Sequence, residues 1–151
     1  SNMKPNTPYG LSKHNLHKSL RMLQSDLNFS LIWARLFFIY GDCPNKKNII
    51  SLFDQALERN DKEFNMSFGD QLFDFLPVEK VIDYLTVLIQ YKKDGIFNIC
   101  KGKPISLRAL LENRMKEKKK IIKLNLGYYD YRKQDSLAMW GEKSFDEQIN
   151  N

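Results

Sequence analysis

The sequence predicts an α/β protein, in which helices alternate with short strands. Leucines recur at helical spacing between residues 16 and 27, and a continuous apolar and aromatic run follows from Phe29 to Ile39. Helical and strand-like patterns then alternate along the rest of the sequence. The 151 residues are 42% hydrophobic and 28% charged, a balance that suits one compact globular unit.

The first two elements are a helix and a buried strand. Leucines spaced three and four residues apart predict a helix over residues 12–27, with Ser12 as its N-cap. The apolar run over residues 29–39 is typical of a strand that is buried on both faces, as in a parallel sheet. Residues 41–45 are expected to form a loop.

A second helix and two short strands follow. Apolar residues at helical spacing predict a helix over residues 49–60. Residues 63–68 and 71–76 are predicted strands on either side of a Gly-Asp turn. Pro77 is expected in the first turn of the next helix, whose apolar face extends to Ile89.

The last predicted elements are shorter. Residues 96–99 predict a strand, Ser106 is expected to cap a helix that extends to Met115, and residues 121–126 predict another strand. The tail is expected to be irregular, apart from a terminal helical turn.

Composition argues against several classes of protein. No apolar run approaches the roughly 20 residues that span a bilayer, and the polar start resembles no signal peptide, so we expect a cytoplasmic protein without a membrane partner.

Cys43 and Cys100 are isolated, which favours reduced thiols over a disulfide. His14 and His17 have no carboxylate or cysteine cluster nearby, so we expect no metal site. Residues 1–2 are typical of a tag-cleavage scar.

The net charge of +6 and the pI of about 9.2 favour anionic partners. Much of the positive charge lies in Lys116–Lys120 and at Lys123, which is typical of a solvated helix end, where cations also favour the helix dipole. The same surface suits an anionic ligand. Nucleic-acid binding is a third alternative, which no recognisable DNA- or RNA-binding motif supports.

Tyr9 and Lys13 stand four residues apart at the start of the first predicted helix, so their side chains share one face. An ammonium group beside a phenol stabilises the phenolate, which makes the phenol a usable general acid or base near neutral pH. The alternative interpretation is an ordinary helix start with a solvated lysine.

Further motifs follow this pair in a fixed order: Trp33–Gly41, Gly69–Val78, Gly95–Ile99, Gly102–Leu107, and Tyr131-Arg132 before Trp140-Gly141. From about Pro8 to Trp140, the series resembles the C-terminal half of extended short-chain dehydrogenases/reductases. These form the NAD-dependent epimerase/dehydratase family, which acts on nucleotide sugars.

The resemblance implies a particular division of the chain. Residues 1–8 would be a tag scar and linker, and residues 9–45 the last part of a Rossmann-like core with the catalytic helix and strand. Residues 46–151 would form a small substrate-binding lobe. The family's N-terminal dinucleotide-binding half, with its Gly-x-x-Gly-x-x-Gly loop, has no counterpart in these residues. We therefore expect NAD or NADP in the complete enzyme and no cofactor bound by this chain alone.

The resemblance also assigns catalytic roles. Tyr9 would exchange a proton with a sugar hydroxyl or carbonyl, while the nicotinamide exchanges a hydride. Lys13 would stabilise the phenolate and hydrogen-bond the nicotinamide ribose, so both residues would contact the cofactor. The family's upstream serine or threonine is not among these residues.

Three residues are implied in binding a nucleotide-sugar substrate. Phe38 stands where many members have a substrate-contacting asparagine, and phenylalanine also occurs there in ketoreductase-like members. Phe73 replaces an arginine that clamps a substrate phosphate, and it either stacks on a nucleobase or packs in the core. Arg132 matches an arginine that contacts the diphosphate, or is a plain surface residue. For Arg35 we favour a structural ion pair.

The favoured interpretation is that the chain is a fragment of a keto-deoxysugar nucleotide reductase. Epimerase and dehydratase chemistry are the alternatives within the family. We expect the chain alone to be inactive. A second reading is a non-catalytic remnant that binds a sugar nucleotide or a protein partner, and a third is a basic nucleic-acid-binding module. The leucines of the first helix, with the apolar strand after it, would expose a large patch, so we expect a homo-oligomer or swapped dimer.

Overall fold

Helices and strands alternate along the chain, which confirms the predicted α/β class. The computed structural model describes residues 5–41, 48–92, 94–131 and 135–142. The helices are α1 (Pro8–Leu27), α2 (Ile49–Arg59), α3 (Val78–Tyr91) and α4 (Leu107–Lys118). The strands are β1 (Ile32–Leu36), β2 (Phe38–Tyr40), β3 (Glu63–Asn65), β4 (Leu72–Phe73), β5 (Phe75–Pro77), β6 (Gly95–Ile99), β7 (Ile105–Ser106), β8 (Lys123–Asn125) and β9 (Ala138–Met139).

Strands β1 and β6 form a parallel pair with a helix on each face. On one face the ring of Trp33 lies 4.7 Å from that of His17 in α1, measured between centroids. On the other face Ala34 packs against the buried cluster that includes Val81 of α3. Helices on both faces of a parallel pair are the layers of a Rossmann-like fold.

A larger core lies between α2 and α4. Phe53, Met66 and Leu111 are completely buried in it. Strand β2 pairs in parallel with β5, and β3 with β8, along this core. A second contact between the two helices is the ion pair of Asp54 with Arg114, whose Nε donates to Asp54 Oδ1 over 2.8 Å.

The predicted strand over residues 29–39 is wrong in one respect, because the structure divides it into β1 and β2. The two pieces join different sheets, and the break falls at Phe37. The residues of β1 are only half-buried apart from an exposed Leu36, where the prediction expected burial on both faces. An unbroken apolar run does not reveal a change of partner strand, which tertiary packing decides.

The cap of α1 also differs from the prediction. The helix begins at Pro8, and Thr7 is the N-cap, with its hydroxyl oxygen accepting from the Gly10 N–H over 3.0 Å. Ser12 lies inside the helix and donates to the Tyr9 carbonyl. The predicted cap of α4 is confirmed, since the Ser106 hydroxyl accepts from the Ala109 N–H.

Three further boundaries are corrected. The predicted strand over residues 71–76 separates at Asp74 into β4 and β5. Pro77 is the N-cap of α3, and so lies just before the helix instead of in its first turn. In the described part of the tail, which was expected to be irregular, β9 pairs in parallel with β4 through Ala138 opposite Leu72. The terminal helical turn stays a prediction, since residues 143–151 lie outside the described residues. The sheet is completed by β7, antiparallel to β4, which the sequence did not predict.

Candidate functional site

The predicted acid–base pair lies at the start of α1. Lys13 Nζ is 5.5 Å from the centre of the Tyr9 ring, so the two side chains share a face as predicted. Tyr9 is 72% exposed, and Lys13 is exposed as well. The phenol is therefore open to a ligand.

The helix places Tyr9 near the carboxyl end of β1. A short connection joins α1 to β1, so the helix runs back along the strand, and His17 meets Trp33. Tyr9 precedes His17 by eight residues, which is about 12 Å along a helix. At about 3.3 Å per strand residue, that distance brings Tyr9 level with Phe37. Ligands of open α/β sheets bind at this end of the strands.

Arg35 also faces α1, and its predicted ion pair does not form with any described residue. Nε of Arg35 and Nε2 of His17 are both buried, and neither has a hydrogen-bond partner within the part of the chain that the structure describes. Burial lowers the pKa of His17, and the positive charges of Arg21, Arg35 and His14 lower it further. The positive charges of Arg21 and Arg35 thus act on the region between α1 and β1, and they favour a neutral His17.

Two predicted substrate contacts lie against each other. The rings of Phe38 and Phe73 are stacked, with centroids 4.1 Å apart and planes 30° apart, and both rings also meet Phe75. Both side chains are half-buried and pack against the main core. The contacts of Phe73 agree with the core alternative, and a role in binding a nucleobase stays a prediction.

Asp74 organises this region, a role that sequence reasoning missed. The residue is completely buried, and its carboxylate accepts from the N–H groups of Lys101 and Gly102, each over 2.7 Å. Its backbone accepts from the Phe38 N–H and donates to the Met139 carbonyl. Asp74 therefore joins β2, β9 and the loop after β6. The available signal was an acidic residue between two phenylalanines.

Tyr131 holds the segment around Asp70, which comes shortly before Phe73 in the sequence. Its hydroxyl donates to the carboxylate of Asp70 and accepts from the Asp70 N–H over 3.3 Å. Burial, followed by the hydrogen bond with Asp70, raises the pKa of Tyr131. Arg132 lies outside the described residues, as does Cys43.

Two of the lysines at the end of α4 form ion pairs or hydrogen bonds with residues of α2. Lys118 lies 3.7 Å from carboxylates of Asp54 and Glu58, and Lys120 donates to the Leu57 carbonyl over 2.8 Å. The hollow beside them, of about 450 Å³, is wide open to solvent. These contacts fit the interpretation of a solvated helix end.

Two absences hold for the residues that the structure describes. No three side chains of His, Cys, Asp or Glu come together in a way that could hold a metal ion. In the same ranges, no helix is both long enough and apolar enough to cross a membrane.

Comparison with known sequences decides the family. A sequence model of the NAD dependent epimerase/dehydratase family matches residues 1–100. The chain belongs to the NAD-dependent epimerase/dehydratase family. A curated relative, the dTDP-6-deoxy-L-talose 4-dehydrogenase (NAD(+)) of Aggregatibacter actinomycetemcomitans, is 32% identical over 142 residues. The match covers 92% of this chain and 52% of that protein.

Solved structures of nucleotide-sugar epimerases share the fold. A UDP-N-acetylglucosamine 4-epimerase from Methanobrevibacter ruminantium, in complex with UDP-N-acetylmuramic acid, superposes with a TM-score of 0.85 at 19% identity, covering 100% of this chain and 49% of that one. A UDP-glucose 4-epimerase from Thermus thermophilus, in complex with NAD, gives a TM-score of 0.74 at 16% identity and covers 97% of this chain and 48% of that one. The chain thus spans about half the length of the relatives that it matches.

Proposed function

We propose that this chain supplies the acid–base pair and the substrate-binding lobe of a sugar-nucleotide reductase. The observation that carries the proposal is the exposed Tyr9–Lys13 pair at the carboxyl end of a parallel strand, in a chain of the epimerase/dehydratase family. The relative that acts on a dTDP-linked 6-deoxysugar favours a keto-deoxysugar substrate.

The residues present fit one end of a nicotinamide cofactor. The phenol of Tyr9 and the ammonium group of Lys13 can hydrogen-bond a ribose, whereas no glycine-rich dinucleotide loop occurs in residues 1–151. NAD or NADP, when bound in the complete enzyme, supplies the hydride. We therefore propose that this chain alone binds no cofactor tightly and is inactive.

Tyr9 performs the proton step in this proposal. During reduction its hydroxyl donates a proton to the oxygen of the substrate carbonyl, so that an alcohol forms as the carbonyl carbon is reduced. Lys13 stabilises the resulting phenolate through its positive charge, and solvent returns the proton because Tyr9 is exposed. In the oxidative direction the phenolate accepts the proton of the sugar hydroxyl.

The proposed substrate contacts are Phe38, Phe73 and Arg132. The stacked phenylalanines form an apolar wall, and Arg132 would contact the diphosphate. The second candidate function is a non-catalytic protein that binds sugar nucleotides or a protein partner. It is favoured by Phe73, because that side chain packs in the core where the family often has a phosphate-binding arginine.

Calorimetric titration of this chain tests the binding part of the proposal. We expect saturable binding of thymidine or uridine diphosphate and no tight binding of NAD or NADP. Arg132→Gln should weaken diphosphate binding about tenfold, whereas Arg59→Gln, on an exposed helix end, should not. Tight cofactor binding by the chain alone would contradict the proposal. A salt-dependent affinity for duplex DNA that exceeds the affinity for nucleotides would favour the nucleic-acid alternative instead.

Complementation tests the catalytic part. The chain is co-expressed with the unmatched portion of the Aggregatibacter relative, and nicotinamide-dependent conversion of a dTDP-6-deoxysugar is measured. We expect Tyr9→Phe to lower the rate by about two to three orders of magnitude. Tyr128→Phe, which changes another exposed tyrosine, should leave the rate unaltered. A Tyr9→Phe rate close to that of the parent would rule out the assigned role.

A further inference from the structure

Between α1 and β1, Arg35 and His17 each have a buried nitrogen atom without a hydrogen-bond partner among the described residues. These atoms are Nε of Arg35 and Nε2 of His17. A buried polar atom without a hydrogen-bond partner costs free energy on the order of 1–3 kcal/mol, and native structures contain few of them. Two such atoms on adjacent elements indicate a surface that is completed by another group.

The charges around Arg35 indicate that the group that completes this surface is negatively charged. Along α1, the side chains whose positive charges act on His17 belong to His14 and Arg21, and Arg35 acts on it from β1. Asp26 is the sole acidic residue of α1, and it lies near the opposite end of the helix from Tyr9. Asp94 is committed elsewhere, since it accepts from the Leu31 N–H and from Gln24. The missing group is therefore a carboxylate, which a guanidinium binds through two parallel hydrogen bonds.

The position of β1 specifies how the carboxylate arrives. In the described part of the chain, β1 pairs with β6 along one edge, and no strand occupies its other edge. Free backbone groups on such an edge accept an added strand, whose alternate side chains point to one face of the sheet. A strand added in parallel to this edge would place every second side chain beneath α1, on the face of the sheet that carries Trp33 and Arg35.

The relatives contain enough additional polypeptide to supply this strand. The chain corresponds to 52% of the curated relative and to 49% of a solved structural neighbour, so a comparable length lies outside the match in each. We propose that Arg35 binds a carboxylate carried by a strand from such polypeptide, which pairs in parallel with the free edge of β1. Arg35 is then the main electrostatic determinant of that association. This inference does not depend on the catalytic role of Tyr9.

The free chain provides the first test. Because Nε of Arg35 has no acceptor among the described residues, Arg35→Gln should leave the melting temperature of the free chain unchanged or raise it. Asp74→Asn, which alters a side chain with buried partners, should lower the melting temperature in the same assay. A fall of several degrees for Arg35→Gln would show that Arg35 has a partner within the chain, and would overturn the inference.

Association provides the second test. The chain is co-expressed with the unmatched portion of the Aggregatibacter relative, so that neither part must fold alone, and the complex is titrated against salt after co-purification. Compared with the parent, we expect Arg35→Gln to weaken association at least tenfold and Arg35→Lys to weaken it less, because lysine keeps the charge but loses the planar fork. Lys18→Gln, which removes an exposed cation from the same helix, should change association less than twofold. Equal association of the parent and Arg35→Gln, or no association of the parent, would overturn the inference.

Discussion

At the scale of single residues, Asp74 shows how a buried charge can be accommodated without a cation. Its carboxylate accepts two backbone N–H groups from the loop after β6, and charge-assisted hydrogen bonds of this kind offset much of the cost of removing a carboxylate from water. The residue thereby fixes a loop that lies almost thirty positions further along the chain. We infer that the family resemblance around Phe73-Asp74-Phe75 reflects this structural requirement.

Substitution of Asp74 measures how much its buried carboxylate contributes to the stability of the protein. We expect Asp74→Ala to lower the free energy of unfolding by about 3 kcal/mol, because two buried donors lose their acceptor. Asp74→Asn should have an intermediate effect, since it keeps one acceptor oxygen. Urea denaturation gives these values. Asp83→Ala, which removes only an exposed ion pair with Lys80, is the matched control and should show no measurable change. An Asp74→Ala protein as stable as this control would contradict the assignment.

The sequence predicted some residue contacts and missed others for a clear reason. Tyr9 and Lys13 share a face because helical geometry alone brings residues four apart together. The stacking of Phe38 on Phe73 and the burial of Asp74 join positions that are distant in sequence. No local pattern encodes such contacts. The catalytic role of Tyr9 and the ligand role of Arg132 stay predictions.

At the scale of elements, the described helices share a mode of termination. Each ends at a residue in the left-handed region, with Asn28 and Asn60 after α1 and α2 and with Lys92 and Lys119 after α3 and α4. Asparagine tolerates this conformation better than lysine does. Glycine would remove the steric penalty altogether.

Two lysine-to-glycine substitutions in α4 should therefore have opposite effects. We expect Lys119→Gly to stabilise the protein by about 0.5–1 kcal/mol, because the C-cap has a φ of 52°. Lys116→Gly, inside the same helix, should destabilise it by about 1 kcal/mol. Chemical denaturation of both variants beside the parent checks the prediction. Effects of the same sign at the two positions would refute the role of backbone conformation.

Elements were predicted most accurately where the signal is local. The cap at Ser106 and the apolar spacing of α4 depend on contacts within one helix. Strands β1 and β2 were merged because an apolar run carries no information about its neighbours. Strand β9 was missed because its pairing partner, β4, lies more than sixty residues earlier.

At the scale of the whole molecule, α1 presents an apolar stripe to solvent. Leu16, Leu23 and Leu27 are 46%, 47% and 67% exposed, and none of the residues of α1 is buried. These three side chains lie on one side of the helix, next to the side that packs on β1. A contiguous stripe of this kind is typical of an interface.

We accordingly predict self-association through α1, as a homo-oligomer or swapped dimer. Sedimentation velocity at tens of micromolar should show a dimer or larger species, and Leu23→Asp should shift it to the monomer because a carboxylate would be buried in the interface. Ile82→Asp, at a 57% exposed position on α3, is the matched control and should leave the assembly intact. A monomeric parent under these conditions would disprove the prediction.

The tail of the chain imposes an order on its folding during synthesis. Gly141 is buried against Phe37 and Cys100, so closely that an added Cβ would lie 2.6 Å from the Phe37 ring and 2.8 Å from the sulfur. Phe37 leaves the ribosome more than a hundred residues earlier, and contacts of such long range form late. The junction of β1 and β2 therefore stays without this cover on its aromatic ring until Gly141 has been synthesised. Apolar surface that is uncovered during that interval favours aggregation and chaperone capture of the nascent chain.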